Sequence, residues 1–133
     1  MTRKAINPDE LFDSLQYGFS QITIGTGSQI VTVSGQVGWD GDGNIVGKGD
    51  LARQTVKALE NLAIAMKAAG GSLDDVLSLR IYIVQRAMSQ SGAIREALQR
   101  FFPENSPAAT WIGVPALANE DFLVEIEAFA VLQ

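Results

Sequence analysis

Carboxylates, tyrosine, lysine or bound water must carry any acid–base chemistry in this 133-residue chain, because it contains no histidine and no cysteine. That composition removes thiolate nucleophiles, disulfides, sulfur-ligated metals and the usual base at neutral pH. The carboxylates best arranged for such work are Glu125 and Glu127, in Val124-Glu125-Ile126-Glu127-Ala128. Two residues apart on an extended strand, they share a face, and crowding of like charges can raise one pKa and supply a general acid or base. The alternative is that one or both pair with Arg80 or another cation across an interface. The residues leave both readings open, and Arg80 reads equally as an ion-pair partner or a substrate anchor.

Two other segments imitate binding motifs. Asp40-Gly41-Asp42-Gly43-Asn44 has the first three ligand positions of a calcium loop, but its sixth and twelfth places hold Ile45 and Leu51 instead of glycine and glutamate. A polar turn is the better reading. Gly47-Lys48-Gly49-Asp50-Leu51-Ala52 matches a phosphate-cradling pattern, yet Asp50 would set a negative charge beside a pyrophosphate and no long parallel framework surrounds it. It reads as a capped helix entry. Tyr82 and Trp111 read first as packing aromatics.

The elements that must position these groups follow from periodicity. Phe19 to Ile24 and Ile30 to Ser34 read as short strands joined by a hairpin-like Gly25-Thr26-Gly27-Ser28. Gly38 to Asp50 is a loop, with a short strand at Asn44 to Val46. Val56, Leu59, Leu62, Ala63, Met66 and Ala69 form one apolar helical stripe, capped by Asp50 and ended by Gly70-Gly71. Leu77 to Val84 alternates as a strand, Ser89 to Phe102 reads as a second helix closed by Pro103, and Ala108 to Val114 and Phe122 to Leu132 are two further strands. This order predicts an α+β domain spanning residues 1–133, one mixed sheet with both helices on one face. Along the last strand Leu123, Glu125, Glu127, Phe129 and Val131 share the other face. Its mixture of large apolar side chains and carboxylates predicts burial against copies of the same chain, with any pocket between subunits.

A net charge of −5 opposes nucleic-acid binding, where affinity comes largely from neutralising phosphates. The first residues lack an apolar run of signal-peptide length, and no stretch approaches the roughly 20 apolar residues of a membrane span. The expectation is a soluble cytoplasmic protein with neither nucleic-acid nor membrane partners.

Val33-Ser34-Gly35-Gln36, Gly47 to Gln54, Ala68-Ala69-Gly70-Gly71-Ser72-Leu73-Asp74-Asp75-Val76 and Val124-Glu125-Ile126-Glu127-Ala128-Phe129-Ala130-Val131 together resemble the RidA/YjgF family of enamine/imine deaminases, from Phe19 to the end. The resemblance implies a chorismate-mutase-like fold in a barrel-like homotrimer, with clefts at the subunit interfaces. It implies hydrolysis of reactive enamines or imines such as 2-aminoacrylate to a 2-keto acid and ammonia, without metal or cofactor. Position by position, Ser34 and Gly35 match a hydroxyl and a backbone N–H that face the substrate. Glu125 matches the acid that positions water.

Three departures alter the expected specificity. The family's Pro-x-Arg-x-Cys aligns with Pro107-Ala108-Ala109-Thr110-Trp111, so the guanidinium that would grip a carboxylate is replaced by Ala109. That loss would weaken binding of a small 2-imino acid by several tens-fold or more, and Trp111 on the same wall favours a larger or less polar ligand. Phe19 stands where the family has tyrosine, with Tyr17 two residues upstream able to supply a hydroxyl. The Gly25 to Ser28 connection is about two residues longer than usual in this alignment. An arginine brought from a neighbouring subunit, Arg80, Arg86 or Arg95, would restore an acid substrate. The leading expectation is therefore an imine hydrolase of changed specificity, with Phe19 and Trp111 as walls. The alternative is a non-catalytic metabolite-binding or regulatory protein using the same cleft. The endoribonuclease label carried by some relatives fits poorly with the charge and the missing histidine.

Overall fold

The computed structural model describes residues 3–133, so Met1 and Thr2, which the expected domain includes, lie outside the described residues. The strands are β1 (Lys4–Ile6), β2 (Ile22–Ile24), β3 (Gln29–Val37), β4 (Val76–Val84), β5 (Ala108–Val114) and β6 (Val124–Leu132). The helices are α1 (Leu51–Ala68) and α2 (Gly92–Phe101). Four strands form a mixed sheet in the order β3-β6-β4-β5, with β6 antiparallel to both neighbours and β5 parallel to β4.

Period-two alternation decides what each sheet face does. Leu79, Ile81 and Ile83 of β4 and Val124, Ile126, Ala128 and Ala130 of β6 are buried on one side. Leu59, Leu62 and Met66 from α1 and Ile94, Ala97 and Leu98 from α2 join them in one core, so both helices cover the same face, as the order of elements predicts. Helix α1 begins where Asp50 accepts a hydrogen bond from the Arg53 N–H at 3.1 Å, satisfying one of the amides a helix start leaves free.

Two polar side chains on that helix tie the strands to it. Gln54, wholly buried, donates to the carbonyls of Gly47 (3.1 Å) and Asp121 (2.9 Å) and accepts from the Leu123 N–H (2.9 Å). Asn61 donates to the carbonyls of Val37 and Trp39 at 3.0 and 2.9 Å. The end of β3 and the start of β6 are thereby held by one helix.

The N-terminal third departs from expectation. The run from Phe19 to Ile24 does not form a hairpin with β3; its regular part is β2, which pairs antiparallel with β1 in a separate two-stranded sheet. Ser20 bridges Ala108 at the start of β5 and β2 takes β1 as its partner, so Gly25 to Ser28 crosses from that side of the domain to β3 at the opposite edge of the sheet instead of reversing the chain. Strand β1, three residues long, escapes periodicity analysis. It is held by Arg3, which is buried and donates to the carbonyls of Leu73 (2.8 Å), Val76 (3.1 Å) and Asn105, with its guanidinium over the Phe102 ring. The short strand expected at Asn44 to Val46 reduces to a single bridge between Trp39 and Ile45. The second helix, expected from Ser89, begins at Gly92, and Ser89 and Gln90 instead end a 3-10 segment, Gln85–Gln90. No helix among the described residues is long and apolar enough to cross a membrane.

Candidate functional site

A bulge in β3 brings the first group of site residues together. Val33 pairs with Ala128 and Gln36 with Ile126, so Ser34 and Gly35 together oppose the single residue Glu127. The extra residue turns the strand at Gly35, which is pressed against the neighbouring carboxylate. A Cβ at that position would lie 2.5 Å from both Cγ and Cδ of Glu125. Glycine is required here by close approach, since its φ is not left-handed. Ser34 is exposed, while Gly35 and Glu125 are half-buried.

The two glutamates have different surroundings. Glu127 accepts the Tyr82 hydroxyl at 2.6 Å and lies 3.6 Å from the Arg80 guanidinium. The hydrogen bond to Glu127 is the main reason the Tyr82 pKa is raised, with loss of water and the charges of Glu127 and Glu125 adding to it and Arg80 opposing. Glu125, opposite Tyr82 on β4, has no hydrogen bond or ion pair from any side chain among the described residues. The readings that the sequence left open thus divide between the two residues: Glu127 is the ion-pair partner, and Glu125 is the unengaged carboxylate.

The second group gathers at the far edge of the sheet. Gly18 adopts a left-handed conformation (φ 90°) against Leu98 of α2, which turns the chain between Tyr17 and Phe19. Phe19 meets Trp111 at 6.2 Å between ring centroids, and Phe12 bridges Phe19 (6.3 Å) and Tyr17 (6.4 Å). The sequence carries no signal for Phe12, which lies in a stretch without periodicity. Ala109 and Trp111 pair with Leu79 and Ile81 and pack toward the core, whereas Thr110 pairs with Arg80 on the exposed face. The indole N–H of Trp111 is buried without a partner among the described residues.

Strands β3 and β5 are opposite edges of the sheet, about 14 Å apart at ordinary strand spacing. Within one protomer, Ser34, Gly35 and Glu125 therefore form one cluster and Phe19, Tyr17, Ala109 and Trp111 another. Arg80, on β4 between them, lines cavities on both sides. Arg86 donates to the Glu120 carbonyl, and Arg95 is exposed on α2, so neither lines these cavities. The outer face also presents Ile30, 71% exposed, and Phe129, 40% exposed.

The calcium-like turn is occupied by its own backbone. Asp40 accepts the N–H groups of Asp42 and Asn44 at 3.0 and 2.9 Å, which lowers its pKa through the Asn44 bond first. Among the described residues no group of three or more His, Cys, Asp or Glu side chains could hold a metal ion.

This geometry has counterparts in known proteins. The family described as Endoribonuclease L-PSP matches residues 14–132. The 3-aminoacrylate deaminase RutC of Acinetobacter baylyi is 37% identical over 101 residues, covering 76% of this chain and 78% of that protein. The solved structure of YyfB, a Rid-family protein from Yersinia pestis, superposes with a TM-score of 0.93 at 36% identity, over 99% of this chain and 100% of that one. The structure of E. coli TdcF with bound serine gives a TM-score of 0.70 at 29% identity, over 86% and 88%.

Proposed function

We propose, on the premise that this chain belongs to the RidA/YjgF (Endoribonuclease L-PSP) family, that it hydrolyses small reactive imines and enamines to carbonyl compounds and ammonia. The observation that carries the proposal is the unengaged Glu125 carboxylate held against the Ser34–Gly35 bulge. Water held by Glu125 adds to the imine carbon and gives up a proton to the carboxylate. Returned to nitrogen, that proton completes a carbinolamine; transfer of its remaining hydroxyl proton through the same carboxylate to nitrogen then lets ammonia leave as the C–N bond breaks and the carbonyl forms. An enamine first accepts a proton at its β-carbon and releases one from nitrogen to become the imine. The Ser34 hydroxyl and Gly35 N–H orient the substrate, and no step needs an imidazole or thiol. A relative with 3-aminoacrylate deaminase activity supports the reaction class.

The wall of Phe19, Tyr17, Ala109 and Trp111 lies too far from Glu125 within a protomer to enclose one small molecule with it. A homotrimer, its subunits meeting to form a barrel, would bring the wall of one subunit to the bulge of the next. The exposed Ile30 and Phe129 favour such burial. The domain thus acts as one unit with clefts between copies.

A metabolite-binding role has two observations in its favour: Ala109 supplies no cation, and E. coli TdcF is a relative with serine bound. Ribonuclease activity has less support, since net charge −5 opposes RNA and Arg80 is the one cation lining the two cavities. The deciding experiment is imine hydrolysis with imines generated in situ from a panel of amino acids and neutral amines, wild type against Glu125→Gln. Acceleration lost in the variant is expected. Equal rates would reject Glu125 chemistry, and saturable binding without turnover would leave the binding protein.

A further inference from the structure

We infer that the cavity over β4 and β5 is an anion subsite in which Arg80 grips the carboxylate of a small 2-imino or 2-oxo acid. For the imine half of that ligand the inference rests on the proposed hydrolase; for the carboxylate half it stands on the cavity itself. The cavity encloses about 390 Å³, a size suited to a small ligand. Arg80 is the one charged side chain lining it among the described residues. In a chain of net charge −5, a cavity with one cation and no carboxylate selects an anion.

The guanidinium is oriented but not satisfied. Its one ionic contact is Nη1 to Glu127 Oε1 at 3.6 Å, too long for a hydrogen bond, and that oxygen already accepts the Tyr82 hydroxyl at 2.6 Å. Glu127 therefore steers the arginine without occupying its planar fork, which remains free to bind a carboxylate through two parallel N–H groups. Neutral hydroxyls surround it: Thr110 faces Arg80 across the β4–β5 ladder, and Ser20, another lining residue, has a buried Oγ with no partner among the described residues. A buried hydroxyl left unpaired is destabilising, and an oxygen of a bound anion would supply its missing bond.

The place of Arg80 in the sheet gives this subsite its relation to the reaction. Arg80 pairs with Glu127 and Tyr82 with Glu125, so Arg80 stands diagonally from Glu125 on one face, about 7–8 Å away at the backbone. That distance is measured on the β6 side of Arg80, whereas the cavity lies on its β5 side with Phe19 and Ala109, so the proposed trimer is what would bring a Glu125, that of a neighbouring copy, to a ligand held there. Ala109 then does not make the substrate neutral. Its methyl packs toward the core, and the cation comes from the opposite face of the neighbouring strand.

The test is titration of the full chain with pyruvate and with pyruvamide, its uncharged analogue, by calorimetry. Pyruvate is expected to bind at least tenfold more tightly. Arg80→Gln should weaken pyruvate at least tenfold and leave pyruvamide unchanged, with Arg80→Lys intermediate. The Arg80 side chain is 68% exposed, so these variants should fold, which circular dichroism would check. In turnover, Arg80→Gln should raise KM for 2-iminopropanoate at least tenfold without changing kcat, and leave KM for its amide unaltered. Equal affinity of wild type for the two probes, binding of neither, or pyruvate affinity indifferent to Arg80 would overturn the subsite. Arg80-dependent binding of pyruvate without turnover of any imine would overturn the hydrolase and leave the subsite standing.

Discussion

Replacing Gly35 with alanine separates what the bulge does for the fold from what it does for Glu125. The added Cβ would stand 2.5 Å from Cγ and Cδ of Glu125, whereas carbon atoms rest about 3.5–4.0 Å apart. The carboxylate must retreat by about 1–1.5 Å, and it can, being the end of a flexible, half-buried side chain. Gly35 is not in the left-handed region, so alanine adds no backbone strain and removes freedom from the unfolded chain, a gain of about 0.4–1 kcal/mol. These opposing contributions predict a stability change under about 1 kcal/mol. Catalysis should suffer much more. A misplacement of about 1 Å costs about 100-fold in rate, or about 2.7 kcal/mol of transition-state stabilisation. The assay pairs thermal unfolding with kcat/KM on the best imine for wild type, Gly35→Ala, Glu125→Gln and the double variant. The double variant should be no slower than Glu125→Gln alone, because both changes remove the same function. A wild-type rate in Gly35→Ala, or a multiplied loss in the double variant, would refute the argument that Gly35 acts through Glu125.

Gln54→Ala should lower stability by about 3 kcal/mol in urea denaturation, because it orphans the Leu123 N–H and two carbonyls around a wholly buried side chain. An unchanged midpoint would show that water replaces the amide. Arg3→Met should cost about 2–3 kcal/mol by leaving the carbonyls of Leu73, Val76 and Asn105 without their donor, and loss of tryptophan-fluorescence cooperativity would report release of the N-terminal strand. Tyr82 has a folded pKa raised above the unfolded value of 10.0, so its contribution is full below pH 10 and disappears as pH rises through the folded value. Wild-type stability should therefore fall more steeply above pH 10 than that of Tyr82→Phe, and parallel pH profiles would contradict the Tyr82–Glu127 bond.

Long-period patterns made most of this architecture readable beforehand. The stripe from Val56 to Met66 and the alternation along Leu77–Val84 and Phe122–Leu132 each bury one face, so periodicity and burial report the same fact. Strand β1 and the partner of β2 were not readable, since three-residue strands hold too few positions to show a period and are secured by distant groups such as Arg3. Glu125 and Glu127 look equivalent in sequence. Their difference arises because β4 places Tyr82 and Arg80 so that both reach Glu127, which depends on register and on side-chain direction. The bulge is equally invisible, because two residues opposing one is a property of a strand pair. The cavity around Arg80 combines residues 19–21, 78–80 and 108–110, which only the assembled sheet makes neighbours.

The sheet order β3-β6-β4-β5 has a consequence for how such a protein can change over generations. The bulge and the glutamate lie on two adjacent strands whose ends are bound to α1 through Gln54 and Asn61. The aromatic wall lies on the opposite edge and on the segment before β2, where none of those bonds reaches. Mutations at Phe12, Phe19, Ala109 or Trp111 therefore accumulate without passing through the strands that hold the carboxylate. Under the proposed function, ligand preference and reactive group are then separately heritable parts of one small domain, and a laboratory library confined to the β5 edge would explore the first while leaving the second in place.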